Sequence, residues 1–221
     1  MKRLQRTNGS TAGFTFIELV ISVAILSLMA SIAMMIQTTG NNALEASNLQ
    51  LEAEGKARRG IERVAQELER AIVMNLFTNF TAAAPNSPSL TFLDAGGLVD
   101  GELVPGSVIH IAWESDPRDP NNGIDDDNDG LIDEGVVALW REVGEDDQVR
   151  VVLCNDVTEF FPGEFDNGAD DNGNGLTDES GFHFEQDGNL ITVRLSVAIV
   201  VSNGTTVQRT AETSIRLRTN T

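Results

Sequence analysis

The chain has 221 residues and carries 34 acidic against 15 basic side chains, for a formal net charge of −19. An acid excess of that size leaves no basic surface to release phosphate counterions, so nucleic acid is not an expected partner. A single cysteine, Cys154, excludes an internal disulfide, a thiolate zinc cluster and a CxxC redox pair, and the two histidines, His110 and His183, have no nucleophile-elbow motif nearby, so no enzyme is expected.

Residues 1–13, MKRLQRTNGSTAG, hold Lys2, Arg3 and Arg6 and no acid. From Phe14 to Ile36 the chain reads FTFIELVISVAILSLMASIAMMI, with 18 consecutive uncharged positions from 19 to 36. As a helix these 23 residues span roughly 34 Å, enough to cross a ~30 Å hydrocarbon layer. The basic flank precedes the span and no Lys or Arg follows until Lys56. The positive-inside rule therefore puts the N-terminus in the cytoplasm and the remainder outside, as a single-pass protein of the inner membrane. A cleaved secretory signal would have a shorter apolar run ending in a small-x-small site. It would also not place a carboxylate, Glu18, near the start of the span, where a charge is costly without a partner.

Gly13-Phe14-Thr15-Phe16-Ile17-Glu18-Leu19 resembles the processing signal of type IV pilins and type II secretion pseudopilins. The resemblance implies that a prepilin peptidase cuts after Gly13, that the new N-terminal Phe14 is methylated, and that Glu18, fifth from Phe14, acts in assembly. Pairing of Glu18 with the freed amine lowers the cost of both charges. Removal of residues 1–13 leaves 12 basic against 34 acidic side chains, a mature charge of −22.

Residues 37–77 are expected to form an amphipathic stalk helix, with a local break at the polar QTTGNN stretch around Gly40. Its apolar stripe is Ile61, Val64, Ala65, Leu68, Ala71, Ile72 and Leu76, at three- and four-residue spacing. Residues 78–221 are expected to form a periplasmic antiparallel β domain. Pro85, Asn86 and Pro88 mark a loop, and strands are predicted at Ser89–Leu93, Ser107–Glu114, Val136–Glu142 and Gln148–Cys154, with a short one at Val157–Phe161. A hairpin of Leu190–Val201 and Thr206–Arg218 turns at Asn203-Gly204. The predicted fold class is α+β and pilin-like, a long N-terminal transmembrane and amphipathic helix packed on an antiparallel β-sheet. Trp113, Trp140, His110 and His183 are read as sheet residues and Cys154 as a small buried hydrophobe.

Between Glu114 and Glu179 lie 21 acidic and three basic residues. Two acidic loops, 119–135 and 164–181, repeat at a 45-residue offset: GIDDDNDGLIDEG aligns with GADDNGNGLTDESG. With Gly130 and Gly175 at position six of a calcium loop, Asp125, Asp127 and Asp129 occupy positions one, three and five of the first. Leu131 offers a carbonyl at seven and Asp133 stands at nine. Asp170, Asn172, Asn174, Leu176 and Asp178 take the same places in the second. Calcium accepts six to eight oxygens from such alternate positions, and five carboxylates within nine residues otherwise repel one another. The pattern resembles dockerin, thrombospondin type 3 and EF-hand loops but has no acid at position twelve. Glu134 and Glu179 at position ten, Asp119 or Asp166 upstream, or water are the candidates to close the shell. Up to two calcium ions are the expected cofactor.

The stretch RRGIERVAQELERAI and the final SIRLRTN resemble the J-type pseudopilin and related W-type minor pilins. The resemblance implies a minor pseudopilin of a type II secretion system. It would sit at or near the pseudopilus tip with H-, I- and K-type minor subunits and the major subunit, and help initiate filament assembly for protein export. The alternatives are a minor pilin of a type IV pilus, serving assembly priming or adhesion, and a membrane-anchored calcium-binding adhesin.

Co-expression with a prepilin peptidase is expected to shorten the chain by the 13 residues that precede Phe14. Gly13→Ala should block the cut. N-terminal sequencing checks it, and a mature end after Ala30 would overturn the pilin-type processing.

Overall fold

The computed structural model describes residues 15–72, 87–100, 102–143, 146–188, 190–200 and 204–216. The expected leader, Gly13, Phe14, Leu76, the 78–86 loop, Asn203 and the last residues of the hairpin lie outside them. The chain divides into two compact units, Met1–Glu45 and Ala46–Thr221.

In the first unit, helix α1 (Phe16–Leu68) begins. Its most apolar 18-residue stretch has a mean hydropathy of 2.6 and none of it is buried in the protein. The hydroxyls of Ser22, Ser27 and Ser31 donate back to the carbonyls of Glu18, Val23 and Ser27 at 2.7–2.9 Å. Polar groups satisfied within the helix suit a segment surrounded by lipid rather than water. The helix runs unbroken through Gly40, contrary to the expected break. One glycine costs a helix only about 1 kcal/mol, and its long helical flanks override that.

In the second unit, α1 buries Ala53, Ala57, Gly60, Ile61, Val64 and Leu68, spaced at three and four residues. The stripe extends further toward the N-terminus than its large residues announce, because Ala53, Ala57 and Gly60 are small. It also stops earlier. The helix ends at Leu68, Glu69 and Arg70 turn, and Ala71–Ile72 form a short strand, β1, rather than continuing a helix to 77. The Ala95 N–H donates to the Arg70 carbonyl, and Ala71 pairs with Asp94, so sheet hydrogen bonds replace helical ones.

Seven further strands follow: β2 (Ser89–Val99), β3 (Glu102–Ser115), β4 (Gly135–Arg141), β5 (Val149–Val157), β6 (Phe182–Asp187), β7 (Leu190–Val200) and β8 (Thr206–Arg216). All pairings are antiparallel, in the order β1-β2-β3-β4-β5-β7-β6, with β8 also on β7. The expected short strand at Val157–Phe161 is instead the end of β5 and an isolated bridge from Phe160 to Ser180. β6 was not expected, since Phe182, His183 and Phe184 are all buried and show no alternation. The architecture is α+β and pilin-like: the α1 segment of this unit packs on the sheet, and Ile61, Val64 and Leu68 share one core with Phe92, Ile111, Leu139, Phe184 and Leu195.

The β5–β7 junction is thin, a single pairing of Val157 with Val197. Helix α1 lies over it. A Cβ added at Gly60 would stand 2.7 Å from Cys154 Sγ on β5 and 2.8 Å from Leu195 Cδ2 on β7. Polar contacts hold the same helix: Lys56 pairs with Asp156, Arg63 donates to the Leu153 carbonyl at 2.9 Å, and Arg141 meets Glu67 at 2.6 Å. Burial pushes the Cys154 thiol up to about 11, in keeping with a packed rather than reactive cysteine.

Gly60→Ala should therefore destabilise the folded chain by about 1–3 kcal/mol through overpacking at this junction. Gly40→Ala, where nothing lies within 4 Å of an added Cβ, should not destabilise it. Denaturant midpoints of the two variants in detergent check the contrast.

Candidate functional site

Two features carry chemistry. The first is the start of α1. Thr15 and Glu18 form a reciprocal cap: the Thr15 N–H and hydroxyl donate to Glu18 Oε2 at 2.8 and 2.9 Å, and the Glu18 N–H donates to Thr15 Oγ1 at 3.3 Å. The carboxylate is thus turned back to the helix N-terminus, where the macrodipole favours an anion. It reaches the residue next to Phe14. Gly13 and Phe14 themselves lie outside the described residues.

The second feature is the pair of acidic loops. The first joins β3 to β4 above the Ser115–Gly135 pairing, and the second joins β5 to β6 above the bridge from Phe160 to Ser180. The two closures stand at the same 45-residue offset as the sequences. So do the left-handed backbone positions: Asn128 (φ 61°) with Gly173 (77°), Gly130 (92°) with Gly175 (93°), and Asp133 (56°) with Asp178 (49°). Asn, like Asp, tolerates such a turn better than other bulkier residues, which is why glycine need not recur there.

Side-chain brackets repeat as well. Asp119 accepts the N–H groups of Asp126 and Asp133, each at 2.7 Å, and is wholly buried. Glu164 does the same for Asn172 and Asp178, each at 3.0 Å. Asp133 accepts the N–H groups of Asn122 and Gly123, and Asp178 those of Asn167 and Gly168. The upstream acid of the second loop is accordingly Glu164, and Asp166, considered for this place, is exposed. Asp119 holds backbone, and its carboxyl also meets that of Glu134. The two brackets were legible in principle: shifting Asp119 by the repeat lands on Glu164.

Asp125, Asp127 and Asp129 come together, each with a carboxylate oxygen within 4.8 Å of the others. Asp133 is not in that cluster. Asp125 Oδ2 accepts the Gly130 N–H at 3.0 Å and Asp129 Oδ1 the Leu131 N–H at 2.9 Å, as Asp170 and Asn174 accept those of Gly175 and Leu176 at 2.8 Å. Leu131 buries its side chain, and Leu176 is half-buried. Burial and the neighbouring charges of Asp127, Asp156 and Asp125 raise the Asp129 carboxyl above its usual range, against the Leu131 N–H bond. Glu134 is only 4% exposed. Burial, with Asp119 and Asp129 adding to it, pushes it up to about 8. In the second loop Glu179 is wholly buried and accepts side-chain amide N–H groups from Asn172 and Asn174. His183, buried beside it, places Nε2 3.9 Å from Glu179 Oε1, while its Nδ1 donates to the Ser180 carbonyl at 2.8 Å. That contact was not expected from sequence.

The other singled-out residues are structural. Burial lowers the His110 imidazole below its usual range, and its Nδ1 meets Thr91 Oγ1 at 2.8 Å. Trp113 packs against the core, and the Arg150 guanidinium lies 5.5 Å over the Trp140 ring.

Residues 9–34 match the family model described as the prokaryotic N-terminal methylation motif. No curated protein and no solved structure matches the chain. The motif, the apolar helix that follows it and the antiparallel sheet together support a type IV pilin-like or pseudopilin protein with a single-pass membrane anchor. The motif implies processing by prepilin peptidase and assembly with other pilins.

Glu164→Ala would leave the N–H groups of Asn172 and Asp178 without acceptors, a loss of about 1–3 kcal/mol. Asp119→Ala should open the first loop in the same way. Proteolytic cleavage within 116–134 for Asp119→Ala and within 161–179 for Glu164→Ala checks both, each variant being cut faster in its own loop only.

Proposed function

We propose that this chain is a minor pseudopilin of a type II secretion system, most similar to the J-type subunit. In this reading it sits at or near the pseudopilus tip, beside H-, I- and K-type subunits and above the major subunit, and helps initiate the filament that exports folded proteins. The observation that carries the reading is the methylation motif running directly into α1, with Glu18 in the first helical turn. The helix seated on an antiparallel sheet supports it, and RRGIERVAQELERAI draws it toward the J-type subunit. The basic leader supports a cytoplasmic N-terminus and a periplasmic β unit. A minor pilin of a type IV pilus shares every one of these supports. Complementation separates them: secretion restored in a strain lacking its J-type subunit favours the first, and piliation restored in a minor-pilin mutant favours the second.

The mechanism asked of Glu18 is a charge pairing. Processing converts the Phe14 nitrogen from an amide to a cationic amine, one residue before the N–H that Glu18 already accepts. In lipid an amine and a carboxylate attract strongly and neither is cheap alone. A neighbour's amine can serve as well as the subunit's own, which would fix register between subunits.

Capping and charge pairing predict different things. Glu18→Gln keeps an acceptor for the Thr15 N–H but loses the charge, whereas Glu18→Ala loses both. Both variants should reduce co-assembly with other pilin-like subunits while leaving the thermal melting of the β unit unchanged. Co-purification of subunits checks this. Wild-type co-assembly by Glu18→Gln would reduce Glu18 to a helix cap, full co-assembly by both would remove it from assembly altogether, and no co-assembly by the parent chain would favour an anchored adhesin that joins no filament.

A further inference from the structure

The repeat of the two acidic loops is a controlled comparison built into one chain. Backbone turns, brackets and closures match at a 45-residue offset, so differences between the loops isolate what a few side chains do. The decisive difference lies around the buried acid at position ten.

In the second loop that acid, Glu179, is satisfied from within. Asn174 Nδ2 donates to its two oxygens at 2.9 and 2.8 Å, and Asn172 Nδ2 donates to Oε2 at 3.0 Å. His183 Nε2 lies 3.9 Å from Glu179 Oε1 and is itself without a hydrogen-bond partner. A buried carboxylate that accepts several N–H groups needs no metal.

In the first loop the same positions carry Asp127 and Asp129 in place of the two asparagines, Glu134 in place of Glu179, and Ala138 in place of His183. Both inward amide N–H donors have become carboxylate oxygens, and the imidazole is gone. Glu134 is 4% exposed and its Oε2 has no hydrogen-bond partner, and Asp125 Oδ1 is likewise buried and unpartnered. Glu134 stands at the repeat position of Glu179, whose carboxylate meets the side chains of Asn172 and Asn174, and the counterparts of those two residues are Asp127 and Asp129. The adjacent cation, Arg118, is committed elsewhere: its guanidinium lies 2.7 Å from Asp116 and only reaches 3.9 Å from Asp127.

We propose that the first loop binds one calcium ion through Asp125, Asp127 and Asp129, with Glu134 as the closing ligand, and that the second loop is a copy that closes on Asn172, Asn174 and Glu179 and takes no ion. The donor set is all oxygen, which selects a hard cation over zinc or copper. The oxygens of Asp125, Asp127 and Asp129, within 4.8 Å of one another, fit a shell whose metal–oxygen distance is about 2.3–2.6 Å. Magnesium, which demands a tight octahedron and keeps its waters, suits three clustered carboxylates with a fourth closing the shell less well. The Leu131 carbonyl and water would complete the shell. The absence of an acid at position twelve then has a reason, since position ten already supplies one from the buried side.

The site's place in the fold gives the ion a purpose. The first loop leans on β7, where a Cβ at Gly130 would stand 3.1 Å from Val200, and Asn121 donates to Glu159 at 3.1 Å. Ordering this loop ties the β3–β4 hairpin to the strands beyond the thin β5–β7 junction. The inference is independent of the secretion or pilus assignment and stands or falls on metal binding alone.

The test is calorimetric titration of the full chain in detergent, stripped with a chelator, with calcium chloride in about 150 mM salt, where diffuse ion atmospheres are largely screened. The expected stoichiometry is one ion per chain. Glu134→Gln should weaken binding at least about tenfold, and Glu179→Gln should leave stoichiometry and affinity unchanged. Asp127→Asn with Asp129→Asn reproduces the second loop's amides: calcium binding should vanish while the ion-free chain melts no lower than wild type, which separates ligand loss from misfolding. Asn172→Asp with Asn174→Asp should create a second site. No saturable heat, two equivalent sites in the parent chain, wild-type affinity in Glu134→Gln, or magnesium binding as tightly as calcium would each overturn the proposal.

Discussion

The β unit depends on one close approach. β5 and β7 share a single backbone pairing, Val157 with Val197, so hydrogen bonds alone join the two halves of the sheet weakly. Helix α1 supplies the missing continuity by lying across the junction, and it can do so only because the contact residues are small. At Gly60 the helix backbone comes near enough to Cys154 and Leu195 that even a methyl group would collide with both. Close-packed interiors convert such a fit into rigidity, since neither strand can shift without opening a void under the helix. The larger residues that follow, Ile61, Val64 and Leu68, then extend the seat into the main core.

This arrangement explains the distribution of charge around the helix. Lys56, Arg63 and Glu67 all reach across to the sheet, to Asp156, the Leu153 carbonyl and Arg141. These pairs are partly buried and sit at the rim of an apolar seat, where they fix the helix in rotation more than they add stability. The acid excess is kept away from the seat, in the two loops, where brackets of backbone N–H groups absorb part of it. A buried carboxylate that accepts two such groups, as Asp119 and Glu164 do, is an inexpensive way to hold a long loop without a regular element.

Much of the architecture was legible because it rests on periodicity. The apolar span, the helical stripe at Ile61, Val64 and Leu68, and six of the strands each follow from local pattern. What escaped did so for identifiable reasons. Ala53, Ala57 and Gly60 are too small to register as an apolar face, yet they make the tightest contact. β6 buries Phe182, His183 and Phe184 together, so no alternation marks it. The helix ended at Leu68 rather than further on because Ala71 and Ile72 gain sheet partners in β2, a long-range effect that no local pattern carries. In the loops, the repeat placed Asp125, Asp127 and Asp129 together as expected. Asp133 and Asp178 turned out to bracket backbone, since a side chain in a left-handed position faces the start of its own loop.

The two loops also show how a duplicated element can diverge without losing its shape. The frame is set by bracket acids, left-handed turns and the closing pairings, and all of these are kept in both copies. The centre is free to change because the frame does not depend on it. Amides in place of two carboxylates turn mutual repulsion around a buried acid into hydrogen bonding. The copy that carries the carboxylates holds a buried acid, Glu134, one of whose oxygens has no hydrogen-bond partner. Glu18 is in a related position at the start of α1: its hydrogen bonds come from Thr15, but no cation pairs with it among the described residues. In surroundings of low dielectric an unpaired carboxylate is a strong demand for a positive charge. On the two proposals made above, that charge reaches Glu18 as an amine released by processing and reaches the first loop as a divalent ion.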